Sequence, residues 1–91
     1  MRKRIVISGK VQNVGFRYWL YGTAIKKNIY GWVRNNVSGE VEVLAIGNDM
    51  DVKDLIKSCK NGPPSSKVYK VKVYNYPNEY LKQSFDIIDS E

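Results

Sequence analysis

Gly9-Lys10-Val11-Gln12-Asn13-Val14-Gly15-Phe16-Arg17 stands where one periodicity gives way to another. Before it, Arg2 to Lys10 carries the β-branched run Ile5-Val6-Ile7 and ends at glycine, which is a strand pattern. After it, Phe16, Leu20 and Ala24 recur at i, i+4 and i+8 with Trp19 and Thr23 beside them, which predicts a helix over Arg17 to about Lys27. Val11 to Gly15 is then a loop leading from a strand into a helix. Gly22 inside that helix costs about 1 kcal/mol against alanine. Asn28 suits a left-handed C-terminal cap.

Outward from this hinge the pattern continues. Tyr30 to Asn36 reads as a second strand and Glu40 to Ile46 as a third, with Val41, Val43 and Ala45 alternating against Glu40 and Glu42 as if half-buried. The short link between them implies an antiparallel hairpin. Asn48 or Asp49 caps a second helix, with Asp51 near its positive end. Val52, Leu55, Ile56 and Cys59 give that helix one apolar face, and Asn61-Gly62-Pro63-Pro64 stops it. Lys67 to Tyr76 is a fourth strand, with Val71 and Val73 on one face and Lys70 and Lys72 on the other. Ser84 to Ile88 has the composition of a short fifth. The order β-α-β-β-α-β predicts an α+β, ferredoxin-like sandwich: one antiparallel sheet with two helices on one face. Such a fold hosts many activities and does not choose among them.

With 91 residues the chain fits a single domain spanning residues 1–91. Its formal charge of +6 favours anionic partners without selecting one. There is no histidine, so a histidine base, a phosphohistidine and His-ligated metals are excluded; with one cysteine, thiolate metal sites and an intramolecular disulfide go too. No apolar run approaches the roughly 20 residues that span a bilayer. Met1-Arg2-Lys3-Arg4 is basic like the start of a secretory signal, but Ile5 to Ile7 is too short for its apolar part. The expectation is a cytoplasmic monomer with no membrane association, whose chemistry uses backbone, Arg, Lys, carboxylates, amides or hydroxyls.

Two places can carry that chemistry. A helix N-terminus offers unpaired N–H groups and the positive end of the helix dipole, and a glycine-containing loop before it can aim further N–H groups at one point. Phosphate is held this way without a metal. Arg17 in the first turn can add two parallel charge-assisted bonds. The bland alternative is that Gly9 and Gly15 permit a tight turn and Arg17 is solvated; the Walker ending is absent. The second place is Asn35, at a strand end within Gly31-Trp32-Val33-Arg34-Asn35. An amide both donates and accepts, so it can orient a water. Asn at such a place also commonly bonds its own backbone.

GKVQNVGFR followed by GWVRN and GEVEV resembles the acylphosphatase family, and the resemblance extends over roughly Ile5 to Ile88, including Gly62-Pro63-Pro64 and Val68. The resemblance implies that the backbone amides of Gln12, Asn13, Val14, Gly15, Phe16 and Arg17 cradle a phosphate. It implies that Arg17 is the phosphate-binding arginine and Asn35 the residue that orients water. The implied activity is hydrolysis of a small-molecule acyl phosphate to carboxylate and inorganic phosphate, with no cofactor and no metal. Asn28, Lys27 and Val37-Ser38 depart from the family pattern, but none of them touches Arg17 or Asn35. Cys59, Trp19 and Trp32 read as core or structural residues.

Two rivals belong to other classes. A basic ferredoxin-like sheet with aromatics describes many RNA-binding domains, but Glu40-Val41-Glu42-Val43 puts carboxylates where those need aromatics, so no nucleic-acid partner is expected. A transfer domain of a larger maturation protein is the other. The chain ends at Glu91, which favours a stand-alone enzyme.

Overall fold

Seven elements form in a computed structural model that describes residues 1–91: β1 (Arg2–Lys10), α1 (Phe16–Lys26), β2 (Tyr30–Asn35), β3 (Val41–Ile46), α2 (Asp49–Cys59), β4 (Lys67–Asn75) and β5 (Phe85–Ile87). The sheet order is β4-β1-β3-β2-β5. The first four strands are antiparallel, with Ile5 opposite Val43 and Val73, and Val33 opposite Val43. The short fifth strand pairs parallel to β2, Phe85 beside Gly31 and Ile87 beside Val33, so the sheet is mixed. Two helices on a five-strand sheet is the ferredoxin-like arrangement that the element order predicts.

Period-2 alternation decides which residues meet the helices. Ile5, Ile7, Val33, Val41, Val43 and Ala45 share one face and pack with Phe16, Leu20 and Ala24 of α1 and Val52, Leu55 and Cys59 of α2. Burial pushes the Cys59 thiol up to about 12, so it is an inert core group. Asn28 has φ 54, the left-handed conformation expected after α1. Lys27 reaches across to Asp54 at 3.8 Å and ties the two helices together.

β3 departs from the half-buried expectation. Val41 to Ala45 are all buried, including Glu42 at 6% exposure on the face away from the helices. Glu42 accepts from Arg4 Nε at 2.7 Å and Arg34 Nε at 2.8 Å. Those guanidiniums lie 5.1 Å from the ring centres of Tyr74 and Trp32. Long side chains with charged ends thus roof the middle of the sheet where no helix covers it. Gly9 also differs from its reading as a turn residue. It lies inside β1 at a register shift, with φ 134, and a Cβ there would overlap the Lys67 carbonyl. Its small size lets β1 and β4 approach.

Candidate active site

The loop between β1 and α1 is pinned by apolar side chains and open at its backbone. Val11 and Phe16 are buried at 1% exposure, and half-buried Val14 packs against the same core. Phe16 meets Trp19 edge-on at 5.3 Å. Between these anchors Asn13 has φ 62 and Gly15 φ 79, so the chain alternates in hand across the turn. Such alternation gathers successive N–H groups into a concavity. No backbone or side-chain oxygen of the protein accepts from any backbone N–H between Val11 and Arg17. Gly15 precedes α1 without a side-chain cap, and no acidic residue occupies the first turn. The positive end of the α1 dipole is left uncompensated.

Arg17 stands at that end. It is half-buried and forms no ion pair and no side-chain hydrogen bond. With Val11, Asn13, Gly15, Phe16, Tyr18 and Ile87 it lines a cavity of about 260 Å³. A cation without a counter-ion, beside donors without acceptors, suits an anion by charge and by hydrogen-bond count. No three His, Cys, Asp or Glu side chains converge to hold a metal.

Gln12 and Asn35 stand apart from that cavity. The Gln12 side chain turns to the β2–β3 hairpin, where Nε2 donates to Asn36 O at 3.0 Å and Glu40 O at 2.9 Å. The loop is thereby clamped to the turn that follows Asn35. The turn is braced in its own right. Asn36 Oδ1 accepts from the N–H groups of Ser38 and Glu40, and the Glu40 carboxylate accepts from Ser8 Oγ at 2.8 Å and Asn36 Nδ2 at 3.1 Å. The hydrogen bonds from Ser8 and Asn36 hold the Glu40 carboxyl below the usual carboxylate range.

Asn35 is the last residue of β2, on the helix face opposite Val41, which in turn faces Ile7 of β1. Ile87, in the cavity wall, lies beside Val33, and Asn35 is the next residue on that face. Its side chain is 8% exposed, and Oδ1 is buried with no hydrogen-bond partner. Leaving a buried acceptor unpaired costs about 1–3 kcal/mol. Asn35 therefore does not spend its amide on its own turn; Asn36 does that work.

The acylphosphatase family profile matches residues 3–87. This chain belongs to the acylphosphatase family. The acylphosphatase of Bacillus pumilus is 39% identical over 82 residues, covering 90% of this chain and 91% of that protein. The crystal structure of the Bacillus subtilis acylphosphatase superposes with a TM-score of 0.91 at 37% identity, over 96% of this chain and 97% of the other. Full-length HypF, solved in a phosphate- and nucleotide-bound form, contains a similar fold at 34% identity and TM-score 0.88; the match covers 98% of this chain but 12% of HypF. The chain is thus an enzyme of the acylphosphatase type, and the reaction of that family is acyl phosphate hydrolysis. No helix is long and apolar enough to cross a membrane.

Three functional features escape sequence reading. Tyr18 and Ile87 line the cavity, and Gln12 works through its side chain as well as its backbone. Tyr18 follows Arg17 directly, which is the only local cue. Ile87 enters through a strand pairing with β2 that no spacing encodes.

Proposed function

We propose that residues 1–91 act as one acylphosphatase domain that hydrolyses small acyl phosphates without a metal. The backbone N–H groups from Gln12 to Arg17 and the Arg17 guanidinium bind the phosphoryl oxygens, and Asn35 orients the attacking water. The observation that carries this reading is the run of seven N–H groups from Val11 to Arg17 with no internal acceptor, next to an unpaired arginine. The orphaned Asn35 Oδ1 supports the second role, because it is an acceptor that no group of the protein uses.

The chemistry asks little of the protein beyond position and charge. The water oxygen bonds to phosphorus as the phosphorus–oxygen bond to the acyl group breaks. The carboxylate leaves with the bonding electrons, and the water proton passes to a phosphoryl oxygen. A carboxylate is a good leaving group, so no strong general acid is needed. Charge on the phosphoryl oxygens is what must be stabilised. Action as a monomer belongs to the same reading: Lys67, Lys70 and Lys72 line the edge strand β4, and lysines on an edge oppose strand addition. A cytoplasmic location rests on the sequence.

The test is steady-state hydrolysis of benzoyl phosphate with excess chelator throughout. Asn35→Ala lowers kcat by on the order of 100-fold while KM moves less than about threefold. Unchanged kcat would remove Asn35 from the mechanism.

A further inference from the structure

A surface helix normally turns a polar face to water, and α1 does not. Tyr18, Tyr21 and Ile25 follow at i, i+3 and i+7, so they share one face. They are 79%, 38% and 48% exposed. Across from them β5 presents Ile87 and Phe85 from its helix face, and the rings of Tyr21 and Phe85 lie 6.4 Å apart. Tyr18 and Ile87 form the outer wall of the Arg17 cavity. At Tyr21 a second cavity of about 380 Å³ begins, with Ile25, Ile29, Tyr30 and Phe85 on its apolar side and Asn28, Gln83, Ser84 and Asp86 on its polar side. One seam, apolar along its α1 side, therefore starts at the Arg17 cavity and follows α1 for about 10 Å, at the 1.5 Å rise of a helix. Its sole charged residue beyond Arg17 is Asp86, whose carboxylate is already paired with Lys82 at 3.4 Å.

We infer that this seam binds the acyl portion of the substrate, and that the preferred substrates are phosphates of unbranched apolar acids long enough to reach past Tyr21. The inference rests on the reading of the Val11–Arg17 loop as the phosphate site. With the phosphoryl group there, the acyl group has Tyr18 and Ile87 as its nearest wall. An apolar chain gains by covering Tyr21 and Ile25. A fully buried methylene favours binding about fourfold; a seam open to water on one side keeps roughly half of that free energy, about twofold per methylene. An extended eight-carbon chain that starts beside Tyr18 passes Tyr21 and approaches Ile25.

The experiment compares kcat/KM for acetyl, butyryl and octanoyl phosphate. The expected result is a rise of at least tenfold from acetyl to octanoyl. The double substitution Tyr21→Ser/Ile25→Ser removes that rise and leaves acetyl phosphate within about twofold of the parent. Ile25→Ser alone, at a half-exposed position, gives a partial loss if the double variant folds poorly. As a binding readout, octylphosphonate inhibits acetyl phosphate hydrolysis at least tenfold more strongly than methylphosphonate. Rates flat across chain length, or a rise that survives both substitutions, overturn the inference while leaving acyl phosphate hydrolysis intact. Failure to turn over any of the three, with neither phosphonate bound, removes the phosphate site and the seam's role with it.

Discussion

The two helices are both eleven residues long and begin in opposite ways. α2 opens conventionally: Asn48 Oδ1 accepts from the Asp51 N–H at 2.9 Å, and Asp49 and Asp51 put negative charge on the positive end of the dipole. α1 opens on left-handed Gly15, with no cap and no acid in its first turn, and adds the cation Arg17. By the rules that stabilise helix starts, the first turn of α1 lacks both devices that the first turn of α2 has. The conflict is local, and it coincides with the loop whose N–H groups lack acceptors. Departures from local rules gather where function requires them. One helix start is neutralised by the protein, and the other is not.

This contrast can be broken in stages. Arg17→Ala removes the unpaired cation, and kcat/KM for an acyl phosphate is expected to fall by on the order of 1,000-fold. Wild-type turnover in that variant would mean that the unpaired arginine is ornamental. Gln12→Ala cuts the clamp between the loop and the hairpin; kcat should drop by about tenfold, since small displacements of reacting groups are costly. Stability falls by about 1 kcal/mol with the lost hydrogen bonds, read by urea unfolding. Asn48→Ala, at the other helix, is the matching control. It should cost about 1 kcal/mol of stability and leave kcat and KM unchanged; an effect on turnover would show that the two helix starts are not independent.

The smallest effect concerns pH. The folded-state pKa of Glu40 is lowered by its bonds from Ser8 and Asn36, so its contribution is fully present above the unfolded value. That contribution is lost as pH falls through the depressed folded value. Thermal unfolding across pH 3 to 6 should show an acid-side loss that is smaller in Ser8→Ala than in the parent. Equal losses in both would place the acid sensitivity elsewhere.

Local signals carried most of the architecture. The Ile5-Val6-Ile7 run, the Asn48 cap, the Val52-Leu55-Cys59 stripe and the left-handed Asn28 all appear where the chain pattern puts them, because each depends on neighbours within a few residues. What the pattern missed depends on distant partners. Glu42 is buried because Arg4 and Arg34 arrive from two other strands. Gly9 matters because Lys67 passes close to it. Ile87 reaches the cavity through a parallel pairing with β2. The candidate site divides the same way. Arg17 and the loop could be proposed from spacing, and Asn35 drew notice as a strand-end amide, but the Gln12 clamp required the hairpin to be seen against the loop.

β1 is made first and finished last. Its neighbours in the sheet are β3 and β4, and Gly9, just upstream of the phosphate loop, is paired with Val68. During synthesis β1 must wait for β3 to emerge on one side and for β4 on the other, and contacts of such long sequence separation form slowly. A loop written within the first seventeen residues thus acquires its final anchorage only after about three-quarters of the chain exists. A nascent chain released short of Val68 would carry the whole loop from Val11 to Arg17 and still lack the strand that completes the sheet around β1.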